Sequence, residues 1–206
     1  MPPRPDVSAE RKNQILEAAL RVFARRGFHK ARMDDIAAEA RLSKGALYWY
    51  FQGKDAILQA LVDKVFSLIM RDMLRIAGNH DQPVPERLRQ VARGAEESVA
   101  FFEAAMPFMH EIYALATRPG PVRTAMQGYY RRYKAALADL LAEGMARGEL
   151  RPHDPAVMAV AFIVQFEGLL LLWVVSPEDF DLHAHWQPMA EFFIQSLLSE
   201  GTQAAR

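Results

Sequence analysis

Ser43 to Lys54 reads SKGALYWYFQGK and gathers the side chains with most to offer a partner. It holds two lysines, three successive aromatic rings and a glycine, but no pair of groups that could share a proton or grip a metal. Ser43 suits an N-cap, because its hydroxyl oxygen can accept from a free backbone N–H of the first turn. Leu47 and Phe51 stand four apart and share one helix face, which must be buried. Tyr48, Trp49 and Tyr50 are left to the other faces. Such a row suits a helix that enters a groove of DNA. Phenols reach phosphates, rings press on thymine methyls, and Lys44 and Lys54 add positive charge. The plainer alternative is an amphipathic core helix.

The flanking sequence must position that stretch. Residues 1–7 are Pro-rich and predict a flexible arm. Ser8 caps a helix to about Arg26, with Ile15, Ala18, Ala19, Val22 and Phe23 on one buried stripe. Arg25 and Arg26 favour its C-terminus, and Gly27 ends it in a left-handed conformation. Met33 to Ala40 makes a short second helix, with Asp34 and Asp35 in the first turn, where acids suit the dipole. Arg41 and Leu42 form a tight turn before Ser43. Two short helices across so brief a turn make a helix-turn-helix. Residues 1–54 carry 11 Lys/Arg against 6 Asp/Glu, although the whole chain is neutral. A basic front on an acidic body suggests a polyanion partner for the front; a solvated charged face explains it about as well.

The run from Gly27 to Lys54 resembles the DNA-binding domain of TetR-family transcriptional regulators. The matching features are Gly27-Phe28, Met33-Asp34-Asp35-Ile36-Ala37, Ser43-Lys44-Gly45, Leu47-Tyr48, Tyr50-Phe51 and Lys54. The resemblance implies Lys44, Gly45, Tyr48 and Trp49 at or near bases, and Arg32, Ser43, Tyr50 and Lys54 on the DNA backbone. Two positions depart from the pattern. Ala31 and Arg32 stand where the family often has a capping hydroxyl. Arg41 stands where it usually has glycine, so a non-glycine residue must accept an unusual backbone angle.

Beyond Lys54 the pattern is helical throughout, without strands or repeats. Asp55 to Ala77 places Ile57, Leu58, Leu61, Val62, Val65, Leu68, Ile69 and Leu74 on helical spacing. Helices follow over about Glu86 to Ala105, Met106 to Thr117 and Val122 to Arg147, then from Asp154-Pro155. Phe102, Met106, Met109, His110, Tyr113, Met126, Tyr130, Phe162, Gln165 and Phe166 could line an apolar effector pocket with a few orienting polar groups. Each of them could equally be core. Glu111 or Glu167 could balance a cationic compound. Ala156 to Val175 is apolar all round, which predicts a helix buried on every side. Its length would also fit a membrane span, but Gln165, Glu167 and Gly168 sit at its centre. With Trp186 to Leu198 it suits a four-helix dimer interface, as the resemblance implies. Glu167, Leu170, Trp173, Val174, Met189, Phe192, Phe193 and Leu197 are the candidate interface residues.

Enzyme signatures are missing: no phosphate-cradling loop, metalloprotease helix or nucleophile elbow appears. His183 and His185, the one close histidine pair, are poorly spaced for shared ligation on a helix, so neither a metal nor a cofactor is expected. The chain contains no cysteine and lacks the apolar core of a signal peptide at its start, which fits a cytoplasmic protein.

The expected fold is all-α: a helix-turn-helix DNA-binding domain over 8–54, a helical ligand-binding and dimerisation domain over 55–200, and a tail over 201–206. The expected function is a homodimeric transcriptional regulator. It is read as a repressor released from a pseudo-palindromic operator by a small, largely apolar ligand. The alternatives are a helical ligand-binding or interaction protein with a vestigial DNA-binding front, and a non-specific nucleoid-type protein.

Overall fold

Helix periodicity governs the chain. The computed structural model describes residues 7–98, 103 and 111–199. Among these the architecture is all-α, with one isolated antiparallel bridge between Leu150 and Leu198. The described residues fall into two compact units. One draws on Met1–Val65 and Ala100–Met126, the other on Phe66–Val99 and Gln127–Arg206.

In the first unit, α1 (Val7–Arg26), α2 (Met33–Glu39) and α3 (Lys44–Tyr50) form a three-helix head, and α4 (Lys54–Ala77) begins there. Ile15, Ala18, Ala19, Val22 and Phe23 of α1 are buried, as their spacing predicts, together with Ile36, Ala37, Leu47, Ile57 and Leu58. Burying each of the larger side chains contributes roughly 1.5–3 kcal/mol. Gly27 closes α1 at φ 72°, its N–H donating to Phe23 O over 2.8 Å. Residues 111–116 are also helical. The Glu111 carboxylate pairs with His29 Nε2 at 2.8 Å, which ties the loop after α1 to this segment.

In the second unit, α4 continues and is joined by α5 (Val84–Glu97), α6 (Pro121–Ala146), α7 (Pro155–Val175) and α8 (Leu182–Leu197), α6 entering it from Gln127. Here α4 buries Met70, Met73 and Ile76, whereas Leu68 and Leu74 face solvent. The stripe drawn through Leu68 and Leu74 is therefore corrected. Asp154 caps α7, accepting from Ala156 N at 2.8 Å and Val157 N at 3.2 Å. Asp181 does the same for α8, which starts four residues before the expected Trp186 and contains Pro188. Trp186 is enclosed, its indole N–H donating to Ala92 O of α5 at 2.7 Å. Gly144 of α6 passes where no side chain fits: a Cβ there would lie 2.7 Å from Leu150 and 2.8 Å from Val84.

The expectation that α7 is covered on every side fails within one chain. Only Ala159, Phe162, Leu169 and Leu170 are buried, and Val157, Val160, Val164, Leu171, Leu172 and Val175 are exposed. A uniformly apolar helix gives the sequence no contrast from which to read its outer face.

Arg87 is the one buried charged residue among the described residues. Its guanidinium donates to Ile76 O and Ala77 O, carbonyls that the end of α4 leaves unpaired, and to both carboxylate oxygens of Glu143 on α6. One side chain thereby joins three helices. The Arg87 hydrogen bond, aided by His80 and Arg147, holds the Glu143 carboxyl down at about 2.

Candidate functional site

The outward face of α3 is built from its inward one. Leu47 is fully buried and Phe51 nearly so, which fixes the helix and turns Tyr48 and Trp49 to solvent, Trp49 at 72 % exposure. Ser43 Oγ accepts from Ala46 N at 3.1 Å and fixes the start of the helix. The Tyr50 ring is half-buried and meets the Trp49 ring edge-on, centroids 4.6 Å apart. Gly45 is exposed, and no neighbouring atom lies within 4 Å of where its Cβ would be. Backbone can therefore approach a partner closely at this point.

The charges are arranged less simply than a count of basic residues suggests. Arg21 and Arg25 of α1 pair with Glu39 of α2, and Arg26 pairs with Asp35. The Arg25 and Arg21 hydrogen bonds keep the Glu39 carboxyl below its ordinary range. These three arginines bind α1 to α2. Lys44 meets Asp34 at 2.9 Å with both side chains largely exposed, and that hydrogen bond raises its pKa, so it stays charged. An exposed pair of this kind contributes little and exchanges readily for a phosphate. Arg32 sits at the N-cap of α2, where its N–H donates to the Asp35 carboxylate at 3.1 Å, and its side chain is exposed.

Lys54 is placed differently from the other candidates. Its ammonium donates to Phe28 O at 2.7 Å and His29 O at 2.9 Å, with Ala31 O at 3.4 Å, and lies 4.7 Å from the centre of the Phe28 ring. The first residue of α4 therefore clamps the loop between α1 and α2. Sequence reasoning missed this because the acceptors are backbone carbonyls more than twenty residues away.

The turn between α2 and α3 pivots on Arg41 at φ 54°, with Leu42 N donating to Ala37 O at 2.9 Å. A left-handed conformation costs a side-chain-bearing residue about 1 kcal/mol, which glycine avoids. Arg41→Gly is expected to raise unfolding stability by roughly 0.5–1 kcal/mol in urea titration without altering the slope.

Among the candidate effector residues, Phe162 and Phe166 pack edge-on against Trp186, centroids 5.5 and 4.9 Å away. Gln165 donates to Ala161 O within its own helix. Tyr130 hydrogen-bonds the carboxylate of Glu167, which the sequence had placed at the interface. Tyr129, Tyr133 and Phe66, which were not anticipated, complete an aromatic cluster. Phe66 stacks on Tyr129 at 4.1 Å, and Tyr129 lies 5.1 Å from Tyr130 and 5.5 Å from Tyr133. Their i, i+4 spacing from 129 to 133 was the available signal. Burial raises the Tyr129 and Tyr133 phenols well above their ordinary range, so both are neutral, and burial likewise raises the Glu167 carboxyl. Tyr113 and Met126 are half-buried in the first unit. Phe102, Met106, Met109 and His110 lie outside the described residues.

Of the candidate interface residues, Leu170, Phe193 and Leu197 are buried within the chain. Trp173, Val174 and Met189 are half-buried, and Phe192 is 78 % exposed. No group of three or more His, Cys, Asp or Glu that could hold a metal occurs among the described residues.

Comparison with known proteins agrees with this arrangement. The family model described as "Bacterial regulatory proteins, tetR family" matches residues 15–61, spanning α1 to the start of α4. The model described as "BetI-type transcriptional repressor, C-terminal" matches residues 84–199. The chain is 26 % identical to the transcriptional regulator AcuR of Cereibacter sphaeroides, over 92 % of this chain and 88 % of that one. It is 28 % identical to the HTH-type transcriptional regulator TtgR of Pseudomonas putida, over 84 % of each. A solved regulator from Saccharomonospora viridis, in complex with choline, shares the fold with a TM-score of 0.79 at 21 % identity, covering 93 % of this chain and 99 % of that one. With a family model spanning more than half of its length, this protein belongs to the TetR family and is a DNA-binding transcriptional regulator, not an enzyme.

Proposed function

We propose that the protein is a homodimeric repressor that binds a pseudo-palindromic operator in the cytoplasm and is released by a small, largely apolar effector. The observation that carries this reading is the outward face of α3, with Trp49 and Tyr48 exposed over a buried Leu47–Phe51 anchor. Lys44, Gly45, Tyr48 and Trp49 read bases or lie beside them. Arg32, Ser43 and Tyr50 hold the phosphates, and Lys54 acts on the backbone through the loop it clamps. The DNA-binding part is 8–54, and 55–200 binds effector and partner. Two recognition helices on a two-fold axis enter major grooves ~34 Å apart or a small multiple of it. Selecting bound sequences from a random DNA pool tests this. A palindrome with that spacing is the expected yield, and an unstructured pool would refute it.

Pairing uses the uncovered side of α7 with Phe192 of α8. Val157, Val160, Val164, Leu171 and Val175 follow helical spacing along one face. At its middle a Cβ on Gly168 would meet nothing within 4 Å in the same chain. By length and composition alone α7 could also cross a membrane, with 28 % of its most apolar window buried. A second copy of the chain covers the same stripe and leaves Gln165 and Glu167 out of lipid. Val164→Asp or Phe192→Asp is expected to convert the dimer to monomer in analytical ultracentrifugation and to weaken operator binding in parallel. A charge placed in a buried apolar interface has no partner there.

Phe102, Met106, Met109, His110, Tyr113, Met126, Tyr130, Phe162, Gln165 and Phe166 are the proposed effector contacts. Release is a population shift: effector must favour a conformer whose recognition helices are wrongly separated, by binding it more tightly than the DNA-binding one. Helix α4, one continuous helix from Lys54 to Ala77, is the lever.

A further inference from the structure

DNA reading and pairing leave one part of the second unit without a role, the carboxylate of Glu167 and the tyrosines around it. Other partly covered acids in that unit meet a cation. Glu143 pairs with Arg87, Glu191 with Arg89, and Glu149 with Arg147. Glu167 is half-buried on α7, accepts from the Tyr130 hydroxyl, and forms no ion pair among the described residues. Residues 99–110, outside the described residues, contain neither Lys nor Arg. A carboxylate withdrawn from water needs a positive partner to stay charged. Beside it stand neutral rings: Tyr129, Tyr130 and Tyr133 follow one another along α6 within 5.5 Å centroid spacings, and Phe66 stacks on Tyr129. Ring faces carry negative potential and attract organic cations. One carboxylate among phenols is a poor divalent-metal site, since calcium and magnesium require several oxygen ligands.

Building on the effector reading above, we propose that the effector is an organic monocation of the substituted-ammonium class, its charge met by Glu167 and its alkyl or aryl body held by Tyr129, Tyr130 and Tyr133. This chemistry keeps the effector largely apolar while adding one positive charge. It also gives the half-exposed position of Glu167 a purpose, because the carboxylate must be reachable to be neutralised.

Calorimetric titration of the full-length protein with phenyltrimethylammonium and with its uncharged carbon isostere tert-butylbenzene tests the proposal. The cation is expected to bind about ten-fold tighter than the isostere, which is one charge in an aromatic surrounding. Glu167→Gln should erase that preference while leaving tert-butylbenzene binding unchanged. Tyr130→Leu, which removes a ring and keeps the carboxylate, should weaken the cation several-fold more than the isostere. Equal affinity for the two compounds in the natural protein, no binding of either, or a preference that survives Glu167→Gln would overturn the proposal. Titration needs no DNA, so operator release is scored separately. Cation binding without operator release would sink the repressor reading and leave the cation site standing.

Discussion

Lys44→Ala combined with Tyr48→Ala is expected to reduce operator affinity about 100-fold or more, the scale of losing one charged and one aromatic groove contact per half-site. Both side chains are exposed, and neither supports the buried Leu47–Phe51 anchor. Thermal unfolding should therefore be nearly unchanged, which separates loss of DNA reading from loss of fold. The single variants divide the effect. If Lys44 exchanges Asp34 for a phosphate, Lys44→Ala should lower the slope of log affinity against log salt by about one per lysine removed. Tyr48→Ala should weaken the selected operator more than random DNA, because its contribution depends on which base it meets. Unaltered affinity in the double variant would mean the head no longer reads DNA, and uniform loss on every sequence would indicate a non-specific binder. Fluorescence anisotropy at two salt concentrations makes these distinctions.

The largest stability loss is expected from Arg87→Met. The substitution preserves much of the volume but removes every donor, leaving Ile76 O and Ala77 O at the end of α4 unsatisfied and Glu143 without its strongest partner. Breaking a buried pair from one side typically costs ~3–5 kcal/mol. In a chain of this size that lowers the midpoint by about 10 °C in scanning calorimetry. Glu143→Gln should cost less, roughly 1–2 kcal/mol, because the amide oxygen still accepts from the guanidinium. The same network sets an acid dependence. The Glu143 carboxyl is held near 2, against 4.5 for an ordinary glutamate, so its contribution is complete above about pH 4.5. It declines as pH falls from there toward 2, and amounts to roughly 3 kcal/mol at most. Glu143→Gln should flatten that part of the stability profile. A midpoint for Arg87→Met within a degree of the natural protein would show that α4, α5 and α6 do not depend on the bridge.

What could be read from the sequence was local. Ser43 as a cap, Gly27 as a left-handed stop and the strain at Arg41 each depend on residues a few positions away, and each occurs. The all-α class followed from periodicity alone. The long-range assignments fared differently. A lysine next to an aromatic helix has the same sequence signature whether it grips phosphate or carbonyls, so Lys54 looked like a DNA contact. Arg87 looked like one more surface arginine, since its burial depends on carbonyls of α4 and a carboxylate on α6. Glu167 was assigned to the interface because it lies on α7, but its direction is set by Tyr130 across the unit, which no linear pattern encodes. The start of α8 was missed because Asp181 precedes two histidines rather than an apolar run, although it caps the helix in the usual way.

The contrast between Trp49 and Trp186 has a practical consequence. An indole in water emits at long wavelength and is open to collisional quenchers such as acrylamide or iodide, whereas an enclosed indole emits to the blue and is shielded. One emission spectrum thus carries two independent reports from unmodified protein. Loss of the red, quenchable part tracks duplex settling over α3, and loss of the blue part tracks melting of the α5–α8 packing.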